Sequence, residues 1–239
     1  MKLRHLLLPL ALMTSLAHAE TVFLIGDSTV ADYKLPDPRQ GWGQAIPPSF
    51  AAGVTVKNFA IPGRSSKSFL EEGAWEPVLA QIQPGDYVFI QFGHNDEKMD
   101  ADRHTDAYGS YQEFLGRYIA DTRKAGGIPV LVTPVARGGM KKSSSIGSHG
   151  RYPAAMLDLA KEQQVLAIDL TTLSENLVRK TSFSEIKPLY IASIDGKDDT
   201  HFTPAGAKVI ARLVAQAIRG LDTPLAAKVQ LPAEADAPN

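Results

Sequence analysis

The sequence predicts a three-layer, doubly wound α/β fold with a five-stranded parallel sheet at its centre. Two observations carry that expectation. Five short runs are apolar and rich in β-branched residues, the pattern of strands covered on both faces. Segments of helical spacing lie between them, and strands that alternate with helices pair in parallel because each crossover returns the chain to the same end of the sheet.

The apolar runs occupy residues 21–25, 54–60, 86–92, 128–133 and 165–170. Helical spacing covers 108–124, ahead of the fourth run, and 153–163, ahead of the fifth. The last helix is the best marked. Thr203 can cap it, Pro204 suits a first position that has no N–H to lose, and Gly220 can end it. Within it Val209, Ile210, Leu213, Val214, Ala217 and Ile218 share one face at helical period. Five strands with these crossovers fit a flavodoxin-like order. Residues 137–150, rich in Gly, Ser and Lys, read as a long loop, and the Ala- and Pro-rich residues 223–239 as a loosely ordered tail.

Composition narrows the function classes. The 239 residues are 44% hydrophobic and 21% charged, as in an ordinary globular domain, expected here over residues 20–222. Twenty-five basic and 26 acidic side chains leave a formal charge of −1, which gives no broad attraction to nucleic acid or to an anionic membrane. There is no cysteine, so disulfides, thiolate nucleophiles and cysteine zinc sites are all excluded. Residues 1–19 have the form of a signal peptide. Lys2, Arg4 and His5 precede an apolar stretch over 6–16, and Ala17-His18-Ala19 offers small residues at the cleavage positions. That stretch falls short of the about 20 apolar residues a spanning helix needs. The expectation is a secreted or periplasmic monomer with no membrane attachment after cleavage.

In open parallel sheets, ligands bind beyond the carboxyl ends of the strands. The loops that follow the strands are therefore where chemistry belongs. After the first run stands Gly26-Asp27-Ser28-Thr29, and after the second Ile61-Pro62-Gly63-Arg64-Ser65-Ser66. The third leads into Gly93-His94-Asn95-Asp96, and Asp198-Asp199-Thr200-His201 precedes the last helix. A serine hydroxyl needs a base to take its proton and an acid to orient that base. Ser28, His201 and Asp198 supply these roles, with Asp199 as the alternative acid. Attack on an ester also creates an oxyanion that needs donors in place. The N–H groups of Ser28 and Gly63 and the side-chain amide of Asn95 are candidates. Neither a cofactor nor a metal is required. His94 and His149 are the only dispersed pair that suggests a metal, and two such histidines are more simply loop residues.

These four loops resemble the blocks of the SGNH (GDSL-like) hydrolase superfamily, over nearly the whole chain from residue 20. Within it, Gly26-Asp27-Ser28-Thr29-Val30, Gly63-Arg64-Ser65-Ser66-Lys67-Ser68, Gln91-Phe92-Gly93-His94-Asn95-Asp96 and Asp198-Asp199-Thr200-His201-Phe202 are similar to the rhamnogalacturonan acetylesterase group. So is His149-Gly150-Arg151-Tyr152-Pro153. Carried over, the resemblance makes Ser28 the nucleophile, His201 the base, Asp198 its orienting acid, and Gly63 and Asn95 oxyanion donors. It implies an acetylated, pectin-derived polysaccharide as substrate. Candidate substrate contacts are Trp42, which could line a sugar site or pack in the core, with His149, and Arg137, Lys141, Lys142 and Arg151, which could meet uronate carboxylates or be solvated surface charge. Two rival expectations stand beside this one: a thioesterase or lysophospholipase of the same superfamily, and a non-catalytic carbohydrate-binding protein on the same fold.

Overall fold

The computed structural model describes residues 20–139 and 147–231. The leader at 1–19, Lys141, Lys142 and residues 232–239 lie outside them. The described elements run β1 (Thr21–Gly26), α1 (Trp42–Ala45), β2 (Thr55–Asn58), α2 (Ser66–Glu71), α3 (Glu76–Leu79), β3 (Tyr87–Gln91), α4 (Ser110–Lys124), β4 (Ile128–Val132), α5 (Tyr152–Glu162), β5 (Leu166–Ile168), α6 (Leu170–Lys180), α7 (Phe183–Ile186), α8 (Ala192–Asp195) and α9 (Pro204–Arg219). All five strands pair in parallel in the order β2-β1-β3-β4-β5. The three-layer, five-stranded, flavodoxin-like expectation is met.

The sheet divides its side chains by the two-residue period of a strand. Val22, Leu24, Tyr87, Phe89, Val130, Val132 and Ile168 face one apolar layer, with Trp42 of α1, Leu170 and Val178 of α6, and α9. Phe23, Ile25, Val88, Ile90 and Leu131 face the other, with Phe69 of α2, Val78 of α3, and α4 and α5. Covering on both faces is why β1, β3 and β4 carry no polar alternation, whereas the edge strand β2 keeps Thr55, Lys57 and Asn58.

Two details depart from the sequence expectation. The buried face of α9 is Ala207, Ile210, Ala211, Val214, Ala215 and Ile218, whereas Val209, Leu213 and Ala217 are only partly buried. The stripe turns toward the alanines because α9 packs against α1, and small side chains let the two backbones approach. The start of the tail is docked and not loose. Pro224–Lys228 forms a 3-10 turn, Leu225 is buried, and Val229 bridges Phe50. Gln230 N–H donates to the Ser49 carbonyl at 2.8 Å, and Lys228 pairs with Glu20 at 2.9 Å. The prolines of this segment argue against a helix or strand, but nothing local tells of the apolar surroundings that bury Leu225.

The cap of α9 is as expected. Thr203 accepts from the N–H of Gly206, and Pro204 occupies the first turn. This fixes where the helix starts, and with it the position of His201 two residues earlier.

Candidate active site

Ser28 stands in the turn that leaves β1, and a short network holds that turn. Asp27 Oδ1 accepts from Thr29 N–H at 2.8 Å and from Thr29 Oγ1 at 2.7 Å. Thr29 Oγ1 accepts from Gln91 Nε2 at 2.6 Å, and Gln91 Oε1 accepts from the Trp42 indole at 2.8 Å. Tyr33 adds a bond from its hydroxyl to the Ser28 carbonyl at 2.9 Å. Gly41 and Gly43 flank Trp42 because a Cβ on either would strike the backbone of Val30 or Ala31. Trp42 is therefore not a sugar platform. It is 1% exposed, and its indole braces the nucleophile's turn through Gln91. Of the two settings open to it in the sequence, sugar wall or core, the structure places it in the core, since a tryptophan between glycines looks alike in both.

The 198–201 turn brings the other two groups to Ser28. His201 Nε2 lies 2.8 Å from Ser28 Oγ, and His201 Nδ1 lies 2.7 Å from Asp198 Oδ2. An ionised carboxylate can only accept, so Nδ1 carries the proton and Nε2 presents its lone pair to the serine hydroxyl. Asp198 Oδ1 also accepts from Thr200 N–H and His201 N–H, each at 3.0 Å. Burial pushes the Asp198 carboxyl up, but the backbone and ring of His201, with Thr200, outweigh it and hold the group below the usual carboxylate range. Asp199, the alternative acid, makes no bond to the ring. Its carboxylate turns toward Gly139, while its carbonyl accepts from Gly138 N–H at 2.8 Å.

The donor side of the crevice is also assembled. Among the described residues, the backbone N–H groups of Ser28 and Gly63 have no acceptor. Gly63 has φ +80°, which an L side chain rarely adopts, and open space where a Cβ would sit. Asn95 Nδ2 donates to the Arg64 carbonyl at 3.0 Å, tying its loop to the one that carries Gly63. Arg103 donates to Asn95 Oδ1 at 3.3 Å, which orients the amide and leaves its second N–H uncommitted. Nothing in the sequence marked Arg103 for this, since it lies eight residues downstream in a charged loop.

Beneath the donors, Asp96 Oδ1 accepts from Ser66 N–H at 3.0 Å and from Ser66 Oγ at 2.5 Å. Burial pushes the Asp96 carboxyl up to about 7, against the lowering effect of the Ser66 bonds. Asp27 is likewise raised by burial. Both aspartates thus hold loops together and do not face a substrate.

The expected substrate contacts are placed differently. His149 is 1% exposed, with Nε2 on the Val135 carbonyl at 2.8 Å and Nδ1 3.3 Å from Glu97. Its ring edge packs on His94 at 4.3 Å between centroids, and burial, then His149, hold His94 well below the ordinary histidine range. Arg137 pairs with Glu97, donates to the Ser148 carbonyl at 2.9 Å and reaches Thr200 Oγ1 at 3.2 Å. It joins the loop after β3 to the 198–201 turn and is no free cation. Arg151 is exposed, with its guanidinium over the Tyr108 ring at 4.6 Å. Among the described residues it makes no hydrogen bond or ion pair to the loops that carry Ser28 or His201. Sequence alone could not distinguish an arginine bound to a partly buried glutamate from one facing solvent. Among the described residues no cluster of three or more His, Asp or Glu could hold a metal.

A parallel α/β sheet with a Ser–His–Asp hydrogen-bonded chain at its carboxyl edge defines the class of α/β serine hydrolases. The chain belongs to the GDSL-like lipase/acylhydrolase family, whose model matches residues 24–209. It is a carboxylic ester hydrolase of that family. It is 38% identical to the probable rhamnogalacturonan acetylesterase YesY of Bacillus subtilis (strain 168), over 87% of this chain and 96% of the relative. It is 40% identical to the rhamnogalacturonan acetylesterase RhgT of the same organism, over 85% of this chain and 91% of the relative. Among solved structures it superposes on YxiM of Bacillus subtilis with a TM-score of 0.74 and 30% identity, covering 84% of this chain and 56% of that one. The acetylxylan esterase Axe2 of Geobacillus stearothermophilus shares the fold at a TM-score of 0.60 and 20% identity, over 83% of this chain and 93% of that one.

Proposed function

We propose that this protein is a serine acetylesterase acting on rhamnogalacturonan-type polysaccharide. The observation that carries the chemistry is the chain from Ser28 Oγ to His201 Nε2 at 2.8 Å and from His201 Nδ1 to Asp198 at 2.7 Å, set beside two N–H groups that have no acceptor among the described residues. Support for the substrate comes from the two Bacillus relatives, each matched over most of both chains.

In this mechanism Ser28 Oγ attacks the acetyl carbonyl while His201 Nε2 takes its proton. Asp198 stabilises the imidazolium through Nδ1–H. The carbonyl oxygen becomes an oxyanion held by the N–H groups of Ser28 and Gly63 and the second amide N–H of Asn95. The sugar alkoxide leaves with the proton from Nε2, and an acetyl-serine remains. Water, activated by His201, then attacks that acyl group and releases acetate.

Acetate release from acetylated rhamnogalacturonan, acetylated xylan and an aryl acetate tests the reading. A kcat/KM on rhamnogalacturonan well above that on xylan supports it, and the reverse order refutes the substrate. A rate that rises with acyl-chain length would instead favour the thioesterase or lysophospholipase reading. The compartment belongs to the same proposal: the protein is exported and cut after Ala19, supported by the basic, apolar and small-residue succession over 1–19. N-terminal sequencing of the exported protein tests that. The working unit in this proposal is the monomer, which sedimentation equilibrium checks.

A further inference from the structure

The loop between β1 and α1 takes no direct part in the mechanism above, yet it reaches both catalytic turns. Its ends meet, since Gly41 N–H donates to the Ala31 carbonyl at 3.0 Å, and closed surface loops of this kind are frequently functional. At one point Tyr33 Oη donates to the Ser28 carbonyl at 2.9 Å. At another, Gln40 N–H donates at 3.0 Å to the carbonyl of Phe202, the residue after His201. One loop thus holds the chain at the nucleophile and beside the base.

Ser28 lies between two peptide groups, and its side chain is aimed only if both are fixed. The Asp27 carbonyl accepts from Val30 N–H and Ala31 N–H, each at 3.1 Å, and Thr29 N–H donates to Asp27 Oδ1 at 2.8 Å. Those bonds come from within the turn. The Ser28 carbonyl has Tyr33 alone among the described residues. Tyr33 is held in turn. Gln44 Oε1 accepts from its N–H at 2.9 Å, and Gln44 Nε2 donates to its carbonyl at 3.1 Å. The Arg39 guanidinium lies over its ring at 4.6 Å, and Asp37 anchors that guanidinium through Nε at 2.9 Å and Nη2 at 2.6 Å. Arg39 holds the Asp37 carboxyl down to about 2, so the pair stays ionised wherever a histidine base works. Burial pushes the Tyr33 hydroxyl up to about 12, so it remains a donor over the same range.

We propose that Tyr33 is a positioning residue for the nucleophile, and that Arg39 and Asp37 act through it by holding its ring. Without the hydroxyl, the peptide group that follows Ser28 loses the bond to its oxygen and tilts, turning the Ser28 Cα–Cβ bond and N–H with it. Both matter to the reaction: Oγ must stay within hydrogen-bond distance of His201 Nε2, and the N–H must meet the oxyanion. A misplacement of about 1 Å costs on the order of a hundredfold in rate, and losing one of several bonds should cost about tenfold. The loss falls on kcat, because neither interaction is drawn upon until the bound ester reacts. The inference rests on the Ser28–His201–Asp198 reading of the site.

The test compares Tyr33→Phe, Arg39→Met and the double variant Y33F/R39M in the full-length protein. Two rates are read: steady-state hydrolysis of an aryl acetate, and labelling of Ser28 by a fluorophosphonate. Tyr33→Phe should lower kcat and the labelling rate together by about tenfold, with KM within about twofold of the parent. Arg39→Met should lower both by about two- to fourfold, the effect of a ring that is less firmly held. Because Arg39 acts through the hydroxyl, the double variant should lie within about twofold of Tyr33→Phe. A parental kcat in folded Tyr33→Phe overturns the proposal. So does a raised KM with kcat intact, which would make Tyr33 a substrate contact. Losses that multiply in the double variant overturn the role given to Arg39. Should Tyr33→Phe fail to fold, Arg39→Met decides, since its ion pair is partly exposed and lies outside the core: parental kcat and labelling there refute the proposal. Ser28→Ala separates this inference from the reading beneath it. Activity retained in Ser28→Ala overturns both, whereas an inactive Ser28→Ala beside a fully active Tyr33→Phe overturns the positioning role alone.

Discussion

Replacing Asp198 by asparagine should cost more activity than so small a change in shape suggests. Asp198 Oδ1 accepts from the N–H groups of Thr200 and His201, each at 3.0 Å, and Oδ2 accepts from the His201 ring at 2.7 Å. In Asp198→Asn the two backbone donors demand an oxygen at the Oδ1 position, so the amide nitrogen falls at the Oδ2 position. An amide N–H facing Nδ1 needs a lone pair there, which moves the ring proton to Nε2. That proton then points at Ser28 Oγ, and the base cannot accept. A wrong tautomer of this kind lowers kcat by about ten-thousandfold, or about 5.4 kcal/mol of transition-state stabilisation. Asp198→Ala removes both oxygens and leaves the ring free to adopt either tautomer. Its loss should be no greater, and formate should restore part of it, since Asp198 is 25% exposed and a small anion has access. Steady-state hydrolysis of an aryl acetate, with and without formate, measures both variants, and circular dichroism melting checks that each is folded. An Asp198→Asn protein retaining more than a tenth of parental kcat, or one rescued by formate as well as Asp198→Ala, would refute the tautomer argument.

Ser28→Ala should lower aryl acetate hydrolysis at least about a thousandfold in a folded protein, and single-turnover kinetics within tenfold of the parent would sink the nucleophile assignment. Because His201 accepts a proton in the first step, kcat/KM should fall on the acid side of the profile; a flat profile down to pH 4 in folded protein speaks against a histidine base. Arg137→Met should depress activity on rhamnogalacturonan and on aryl acetate by similar factors, and lower stability by about 1–3 kcal/mol, because it leaves Glu97 with His149 alone and releases Thr200 and the Ser148 carbonyl. A loss confined to the acidic polysaccharide would restore Arg137 as a substrate contact. Asp96, held at about 7 against its ordinary 3.8, keeps a proton in the folded state that the unfolded chain releases. Its contribution is therefore fully present below about pH 4 and lost as pH rises toward 7. The Tm difference between Asp96→Asn and the parent should grow in the variant's favour across that window, and a constant difference in calorimetry would contradict the assignment.

Much of this protein was legible in local pattern. The five runs became the five parallel strands, most plainly β1, β3 and β4, where burial on both faces demands apolar residues at successive positions, which is visible without knowing any partner. The cap and start of α9 were legible for a similar reason, since Thr203 and Pro204 act on their own backbone. Ser28, Asp198 and His201 were nominated because each stood at a strand end or helix start, where a parallel sheet gathers its loops. The three-residue spacing of Asp198 and His201 also let one turn carry both groups.

What only the tertiary structure decided depends on pairings distant in sequence. Trp42 and Gln91 are 49 residues apart, Arg137 and Glu97 are 40 apart, and His149 and Glu97 are 52 apart. A tryptophan, an arginine or a histidine can each serve a substrate or a scaffold, and the choice rests on whether a buried partner meets it. Local pattern records what a residue does to its neighbours along the chain. Long-range partnership is set by how helices and loops pack, and that packing made the 198–201 turn the meeting place of Ser28 and His201.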